Sequence, residues 1–101
     1  MANTLPPWAV AMLKLKTTRQ FGRDVKRIIK RGLDLSLMDE VIGALLKEEP
    51  LAPKYRDHPL KGNYAGFREC HISPDWLLIY AVDRENLILV ASRTGSHSDL
   101  F

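Results

Sequence analysis

The three histidines of the sequence each lie beside a turn or the end of a predicted strand. They are His58, His71 and His97, and each stands within three residues of a proline or a glycine. An imidazole has an unperturbed pKa of about 6.5, so it can either donate or accept a proton near neutral pH. Catalytic groups collect on loops and strand ends that a rigid sheet positions. The histidines are therefore candidates for acid–base chemistry.

Cleavage of an RNA phosphodiester without a metal ion is a reaction that fits the residues around them. It needs a base for the 2′-hydroxyl proton, a cation for the charge that develops at the phosphorus, and an acid for the leaving 5′-oxygen. Side chains of these types stand in the second half of the chain: His71, Asp75, Arg93 and His97. Two aromatic residues could stack on an unpaired base, namely Trp76 and Phe101.

These residues also have interpretations that involve no catalysis. A single histidine can be an exposed or hydrogen-bonded core residue, and Trp76 can simply pack in the core. A zinc site of three histidines is a further alternative, although the sequence has no HxxxH motif and no Cys/His cluster. Cys70, the one cysteine, directly precedes His71, so the two side chains point to opposite faces of a strand.

The positive charge of the chain is concentrated in one short segment. Residues 14–31 include eight bases and one acid, a net charge of +7, whereas the rest of the chain has seven bases and eleven acids, a net charge of −4. Such a patch is typical of a protein that binds an anionic partner, most often nucleic acid. A charge run can also be a merely solvated helix face. The eight bases are Lys14, Lys16, Arg19, Arg23, Lys26, Arg27, Lys30 and Arg31.

Length and composition exclude several classes of protein. A chain of 101 residues that is 46% hydrophobic and 27% charged has the ordinary mix of a small globular protein, not that of a disordered or collagen-like chain. No apolar run approaches the roughly 20 residues needed to cross a bilayer, so no membrane association is expected. A lone cysteine cannot form an internal disulfide, which fits a reducing, cytoplasmic location.

The first third of the sequence predicts a short strand and a helix. Residues 1–11 contain two prolines and show no periodicity, and we interpret them as a flexible extension before a single domain over residues 12–101. Residues 13–17 alternate between apolar and basic side chains, which predicts a strand with one solvated face. A helix capped by Thr17 or Thr18 follows and stops near Gly32. Its predicted apolar stripe consists of Phe21, Val25, Ile28 and Ile29.

A second helix follows after a short link, so the two helices are expected to be antiparallel neighbours. It begins at Ser36, where Ser36 and Asp39 match the capping-box pattern, and it ends before Pro50. The stretch from residue 49 to residue 66 is rich in proline and glycine. A loop of this length in a small domain usually has a function.

Three further strands complete the predicted fold, over residues 67–72, 76–82 and 87–93. The middle strand is almost continuously apolar, which predicts burial on both faces. Turns at residues 73–75 and 83–86 make neighbouring strands antiparallel, and a short tail follows Gly95. The order of elements predicts an α+β fold, with two N-terminal helices packed on an antiparallel β-sheet and a short N-terminal strand joining that sheet.

Several short motifs, taken in order, resemble the YafQ branch of the RelE/ParE toxin superfamily. They are DHPLKG from residue 57, GFRECH from residue 66, PDWLLIY from residue 74, RTGSH from residue 93 and LF at residues 100–101. The first helix matches as well, with Phe21, then DVK from residue 24 and KRG from residue 30. The resemblance spans residues 12–101 and implies a RelE-like fold.

The resemblance also implies a function, partners and site residues. Members are toxins of bacterial type II toxin–antitoxin modules, and the YafQ branch cleaves messenger RNA in the ribosomal A site. The implied partners are ribosomal RNA, messenger RNA and a cognate antitoxin, which is a DNA-binding inhibitor protein; no cofactor or metal is implied. The expected catalytic residues are His58, His71, Asp75, Arg93 and His97. The expected RNA-binding residues are Trp76, Phe101, Lys61 and the eight bases of residues 14–31.

Two alternatives share the resemblance but not the chemistry. The ParE branch has the same fold and inhibits DNA gyrase by binding, without a nuclease activity. The second alternative is an interaction module that binds an antitoxin and has no activity of its own. The presence of all three histidines favours the nuclease, because a binding inhibitor does not need them.

Overall fold

The computed structural model describes residues 13–101, so the predicted N-terminal extension lies outside the described residues. Within this range five strands form one sheet, three helices accompany it, and two short 3-10 turns span Pro53–Tyr55 and Gly62–Tyr64. The strands are β1 (Lys14–Thr17), β2 (His58–Pro59), β3 (Arg68–Ser73), β4 (Trp76–Asp83) and β5 (Ile88–Gly95). The helices are α1 (Arg19–Lys30), α2 (Leu35–Leu46) and α3 (His97–Leu100).

The sheet has the order β1-β5-β4-β3-β2 and is mixed. Strands β2 to β5 pair antiparallel with one another, whereas β1 lies parallel to β5 at one edge. The α+β fold and the joining of the N-terminal strand to the sheet are thus confirmed, with β2 and α3 as additional elements. All four residues of β1 are exposed, so the prediction of a strand with only one solvated face is wrong.

Helix α1 begins as the sequence predicts. Thr18 is its N-cap, and the Thr18 hydroxyl accepts a hydrogen bond from Phe21 N at 3.0 Å. Phe21 and Ile28 are buried against the sheet, but Ile29 is 54% exposed, which corrects the predicted apolar stripe. Asp24 is also fully buried on this face, at i+3 from Phe21 and i−4 from Ile28.

Helix α2 begins one residue earlier than predicted and with a different cap. Asp34 is the N-cap, and its carboxylate accepts from Ser36 N at 2.9 Å. The predicted capping box between Ser36 and Asp39 is therefore wrong. The capping box of this chain lies at α3, where Ser96 and Asp99 satisfy each other's backbone N–H groups.

The core lies mainly on the face of the sheet that the long helices cover. Alternate residues of the central strand, such as Leu78 and Tyr80, pack there with α1 and α2. Leu77 and Ile79 face the other way and form a smaller cluster with Leu100 of α3. The predicted burial of β4 on both faces is confirmed for its first five residues. No helix within residues 13–101 is long and apolar enough to cross a membrane.

Helix α1 also covers an edge of the sheet. Strand β1 ends at Thr17, opposite Ala91, so the second half of β5 has no strand on the side away from β4. Side chains of α1 and its cap satisfy the backbone there: the Thr18 hydroxyl donates to Ser92 O at 2.8 Å, and Asp24 accepts from Thr94 N at 3.1 Å. An unpaired edge would otherwise expose these groups.

Candidate active site

The candidate catalytic residues lie on the sheet face opposite α1 and α2. Strand pairing places His58 opposite Glu69, Glu69 opposite Ile79, and Ile79 opposite Arg93, and residues that pair directly across a sheet share a face. His71 lies two residues beyond Glu69 on β3 and therefore projects from the same face. The strand register thus places His58, Glu69, Ile79 and Arg93, which come from four different strands, in one row across this face.

The three imidazole rings form a row across this face. The ring centroids of His58 and His71 are 6.3 Å apart, and those of His71 and His97 are 5.7 Å apart. His71 is almost buried, whereas the side chain of His58 is 46% exposed and that of His97 is 53% exposed. The structure therefore brings all three predicted histidines together on this face.

His97 is oriented by Asp75. Both the backbone N and the ring Nδ1 of His97 donate to Asp75 Oδ1, at 3.0 Å and 2.7 Å. These two hydrogen bonds hold the pKa of Asp75 below its usual range, so the group is a carboxylate near neutral pH. A carboxylate only accepts hydrogen bonds, so the Nδ1 of His97 must carry a proton. Nε2 is therefore the nitrogen of His97 that can exchange a proton with a substrate.

His71 and His58 are held in the same way, by backbone carbonyls. The Nδ1 of His71 lies 3.3 Å from Pro74 O, and the Nδ1 of His58 lies 2.6 Å from Arg56 O. A carbonyl can only accept, so each Nδ1 is the protonated nitrogen. The Nε2 atoms of both rings then face Glu69, at 3.1 Å from its Oε2 for His58 and 3.9 Å for His71.

Glu69 is a site residue that the motif comparison did not single out. It is 6% exposed, and its Oε1 has no hydrogen-bond partner among the described residues. A buried carboxylate oxygen without a partner is costly, and such departures are concentrated at functional sites. Because both nitrogens of His58 face acceptors, the contact with Glu69 requires a proton on each of those nitrogens or one on the carboxyl. The sequence did contain a signal for Glu69: it stands two residues before His71 in a predicted strand, so both side chains project from the same face.

Arg93 is held by a second residue that the motifs did not indicate. Its Nε and Nη2 donate to Asp24 of α1, at 2.8 Å and 3.3 Å. Asp24 is fully buried and raises the pKa of Arg93, which keeps the guanidinium charged. This contact uses only two of the five N–H donors, so others are left for a phosphate. The sequence did contain a signal for Asp24, because it is the one acid among the bases of residues 14–31.

The loop that carries His58 is fixed by a polar network on the other side of β3. Asp57 accepts from the Tyr80 hydroxyl at 2.6 Å and from both Nε and Nη2 of Arg68, at 3.3 Å and 3.2 Å. Burial, and then the contact with Asp57, raises the pKa of Tyr80, so its hydroxyl stays a donor. The network gives Asp57 a structural role directly beside the predicted catalytic histidine.

Comparison with known proteins gives a consistent identification. The sequence model of "Bacterial toxin of type II toxin-antitoxin system, YafQ" matches residues 13–101. The mRNA interferase toxin YafQ of Escherichia coli K12 is 39% identical over 83 residues, which cover 81% of this chain and 88% of that protein. The chain belongs to the YafQ toxin family. The family predicted from the sequence, that of mRNA interferase toxins of type II toxin–antitoxin systems, is thereby confirmed.

Solved structures of YafQ toxins and related proteins agree with this assignment. A crystal structure described as a metal-bound toxin from Helicobacter pylori is 50% identical, with a TM-score of 0.85, and covers 89% of this chain and 100% of that one. The E. coli DinJ–YafQ complex contains a chain that is 36% identical, with a TM-score of 0.81, covering 88% of this chain and 98% of that chain. The complex supports a cognate antitoxin as the class of partner for this YafQ-family chain.

One predicted RNA contact of this YafQ-family site is corrected by the structure. Trp76 is 3% exposed and packs in the core on the helix side, where its indole Nε1 donates to Thr94 Oγ1 at 2.9 Å. Its ring therefore cannot stack on a base. Phe101 is 65% exposed and leans edge-on against Tyr64, with ring centroids 5.8 Å apart, so its predicted contact with RNA stays a prediction.

The basic residues of the YafQ-family chain fall into two groups. Arg31 is paired with Asp99 of α3 through two hydrogen bonds of 2.6 Å and 2.9 Å, and Arg27 lies 3.6 Å from the same carboxylate and 3.9 Å from Asp24. Arg31 holds the pKa of Asp99 well below its usual range. These two arginines are thus engaged within the protein. The remaining predicted bases have exposed side chains: Lys14, Lys16, Arg19, Arg23, Lys26, Lys30 and Lys61.

The described part of the YafQ-family chain shows no preformed metal site. Over residues 13–101, no group of three or more His, Cys, Asp or Glu side chains is arranged so that it could hold a metal ion. Cys70 is buried, and burial raises the pKa of its thiol to about 12, so it is neither a nucleophile nor a ready ligand near neutral pH. Cys70 and His71 project from opposite faces of β3, as the sequence predicts.

Proposed function

We propose that this protein is a ribosome-dependent endoribonuclease that cleaves messenger RNA without a metal ion, with the 2′-hydroxyl of the RNA as the nucleophile. The observation that carries the proposal is the arrangement of three imidazoles on one sheet face. Each Nδ1 is held by an oxygen acceptor, which orients each ring and directs its proton exchange to Nε2. This set supplies both an acid and a base, and Arg93 supplies the cation.

The proposed reaction is one in-line displacement at phosphorus. A neutral imidazole removes the 2′-hydroxyl proton, the 2′-oxygen forms a bond to phosphorus, and the bond from phosphorus to the 5′-oxygen breaks. A protonated imidazole delivers a proton to that leaving oxygen. The products are a 2′,3′-cyclic phosphate and a 5′-hydroxyl. Donors of Arg93 that do not contact Asp24 stabilise the extra charge on the phosphoryl oxygens.

The geometry favours His97 as the acid and His71 as the base. The carboxylate of Asp75 lies 2.7 Å from the Nδ1 of His97, as a triad aspartate does for its histidine, so it holds the ring with Nε2 directed outward. His71 is nearly buried, and its Nδ1 is held by a carbonyl, so its Nε2, 3.9 Å from Glu69, is the nitrogen that can accept a proton. The two ring centroids are 5.7 Å apart, so both can contact one phosphodiester.

The product ends and the 2′-hydroxyl provide the test of this proposal. Purified protein is added to ribosomes that translate a defined message, after a chelator has stripped the protein of transition metals and been removed. We expect cleavage at the undiminished rate, 2′,3′-cyclic phosphate ends, and no cleavage of a message with a single 2′-deoxy substitution at the scissile position. Cleavage of the 2′-deoxy message, or activity that returns only when zinc or copper is restored, would contradict the mechanism.

The same preparation distinguishes the binding inhibitor from the nuclease. A ParE-like toxin would inhibit DNA gyrase supercoiling and leave the message intact. The match to the YafQ model over residues 13–101 favours the nuclease. We expect no effect on supercoiling at concentrations that cleave ribosome-bound messages.

The ribosome is expected to bind the exposed bases of β1 and α1, here called the basic surface. It consists of Lys14, Lys16, Arg19, Arg23, Lys26 and Lys30, all with exposed side chains. Each contact with an RNA phosphate releases counterions, so binding weakens as salt rises. Lys26→Glu with Lys30→Glu is therefore expected to weaken ribosome binding and to flatten the salt slope by about one per lost contact.

The control for the basic surface is a charge reversal of the same size elsewhere. Lys47→Glu with Lys54→Glu changes two exposed lysines outside β1 and α1 and should leave the salt slope unchanged. Binding is measured by sedimentation with ribosomes between low and moderate salt, and folding by circular dichroism. Equal slopes for both double variants would show that the basic surface is only a solvated face.

A further inference from the structure

The helix that carries His97 is too short to be stable by itself. Helix α3 has four residues, His97–Leu100, and an isolated helix of that length does not form in water. Asp99 makes most of the polar contacts that fix it. Its Oδ2 accepts from Ser96 N at 2.8 Å, while Ser96 Oγ accepts from Asp99 N at 3.2 Å, which closes the capping box.

Arg31 clamps the same carboxylate from the end of α1. Its Nη1 donates to Asp99 Oδ2 at 2.6 Å and its Nη2 donates to Oδ1 at 2.9 Å. Two parallel hydrogen bonds between a guanidinium and a carboxylate fix orientation as well as distance. Helix α1 is itself anchored to the sheet through buried Phe21 and Ile28. The clamp therefore ties the short helix α3 to a rigid long one.

The end of β5 is shaped to admit the Asp99 side chain. A Cβ on Gly95 would lie 2.9 Å from both the Cβ and the Oδ2 of Asp99, a distance that no side chain tolerates without movement. His97 lies between Gly95 and Asp99, and its backbone N bonds to Asp75. The contacts of Asp99 thus fix the backbone of α3, from which the imidazole of His97 extends to Asp75.

We propose that Asp99, clamped by Arg31, is a positioning residue for mRNA cleavage, because it holds α3 so that His97 stays in contact with Asp75. The proposal rests on the catalytic role given to His97 above. It also moves Arg31 from the predicted RNA-binding set to the group that positions the catalytic site. Asp99 does not touch the reacting atoms in this scheme, and its effect passes through His97 alone.

Two single variants and their combination test the clamp. Asp99→Asn keeps an acceptor for the capping box but removes the charge that Arg31 binds, and Arg31→Ala removes the guanidinium. A misplacement of about 1 Å can cost on the order of 10²-fold in rate. We expect each variant to lower kcat on ribosome-bound message by about 10- to 100-fold with KM nearly unchanged, and the double variant to be no worse than either single one.

The conservative and control variants separate positioning from other roles. Arg31→Lys keeps the charge but not the two-pronged contact, so it should retain more activity than Arg31→Ala. Lys47→Ala and Asp39→Asn remove an exposed base and an exposed acid elsewhere and should match the wild type. If Arg31 contacts RNA instead, Arg31→Ala will raise KM and flatten the salt slope while kcat stays constant, and that result would overturn the proposal.

A measurement on the free protein keeps this proposal distinct from the one it rests on. Ring 15N shifts of His97 report which nitrogen is protonated, and the contact with Asp75 predicts the Nδ1–H form. We expect Asp99→Asn and Arg31→Ala to increase the Nε2–H form. Unchanged shifts would refute the positioning role whatever the activity. Altered shifts with full activity would support positioning and contradict the catalytic role of His97.

Discussion

Replacement of His97 by alanine is expected to lower the rate of mRNA cleavage by about 10²- to 10⁴-fold, the usual cost of losing a positioned acid or base. The free energy of unfolding should change little, since the side chains of His97 and Asp75 are 53% and 67% exposed and bond mainly to each other. Surface substitutions of this kind normally stay within about 0.5 kcal/mol. The measurement is single-turnover cleavage of a ribosome-bound message, beside urea unfolding.

Ser98→Ala is the matched control, because Ser98 is the exposed neighbour on the same short helix. It should cleave at the wild-type rate. Asp75→Asn tests the orientation of the ring separately: an amide can also donate, so the Nδ1–H tautomer of His97 loses its preference, and the rate should fall with the ring still present. A His97→Ala variant that cleaves as fast as the wild type would refute the assignment.

The largest effect on stability is expected at Asp24. This carboxylate is fully buried and accepts from the Arg93 guanidinium and from Thr94 N, on the side of β5 where no strand pairs with it. Asp24→Asn keeps the size of the side chain but leaves the guanidinium, only 21% exposed, without its counter-charge. Breaking a buried ion pair by removing one partner costs about 3–5 kcal/mol. Urea unfolding at pH 7 should show a loss of that order.

A second substitution separates the unpaired charge from a general loss of packing. If the unpaired guanidinium causes the loss, then adding Arg93→Met to Asp24→Asn should recover part of it, since neither charge then remains. Asp39→Asn, an exposed acid on α2, should be within about 0.5 kcal/mol of the wild type. A loss below about 1 kcal/mol for Asp24→Asn would show that the pair contributes little.

The elements with strong local signals were predictable from the sequence. Thr18 caps α1, β4 is buried on both faces at its start, and the turn before Trp76 separates two antiparallel strands, all as expected. These features depend on side-chain period and on turn-forming residues, and both are properties of neighbouring positions. Where two local signals competed, the prediction was wrong: Asp34 and not Ser36 caps α2, because either side chain can accept from the first turn.

The candidate histidines and the family could also be identified from the sequence alone, because the motifs are residue types in a fixed order and at fixed spacings. Which side chains hold them was decided only by the fold. Asp24 reaches Arg93 across 69 positions, and Arg31 reaches Asp99 across 68. Such contacts arise because α1 runs along the edge of β5 that β1 leaves unpaired, and no local pattern in the sequence encodes that placement.

Contacts between distant parts of the chain also explain the positions of Trp76 and of the arginines in the basic segment. The sequence allowed Trp76 either to stack on a base or to pack in the core, and its position on the helix side of β4 places it in the core. Arg27 and Arg31 were indistinguishable from their basic neighbours until α3 brought a carboxylate to them. Composition and spacing thus determined which reactive and charged side chains this protein has. Tertiary contacts decided which of those charges remain unpaired, because ion pairing depends on distance in space and not on separation along the chain.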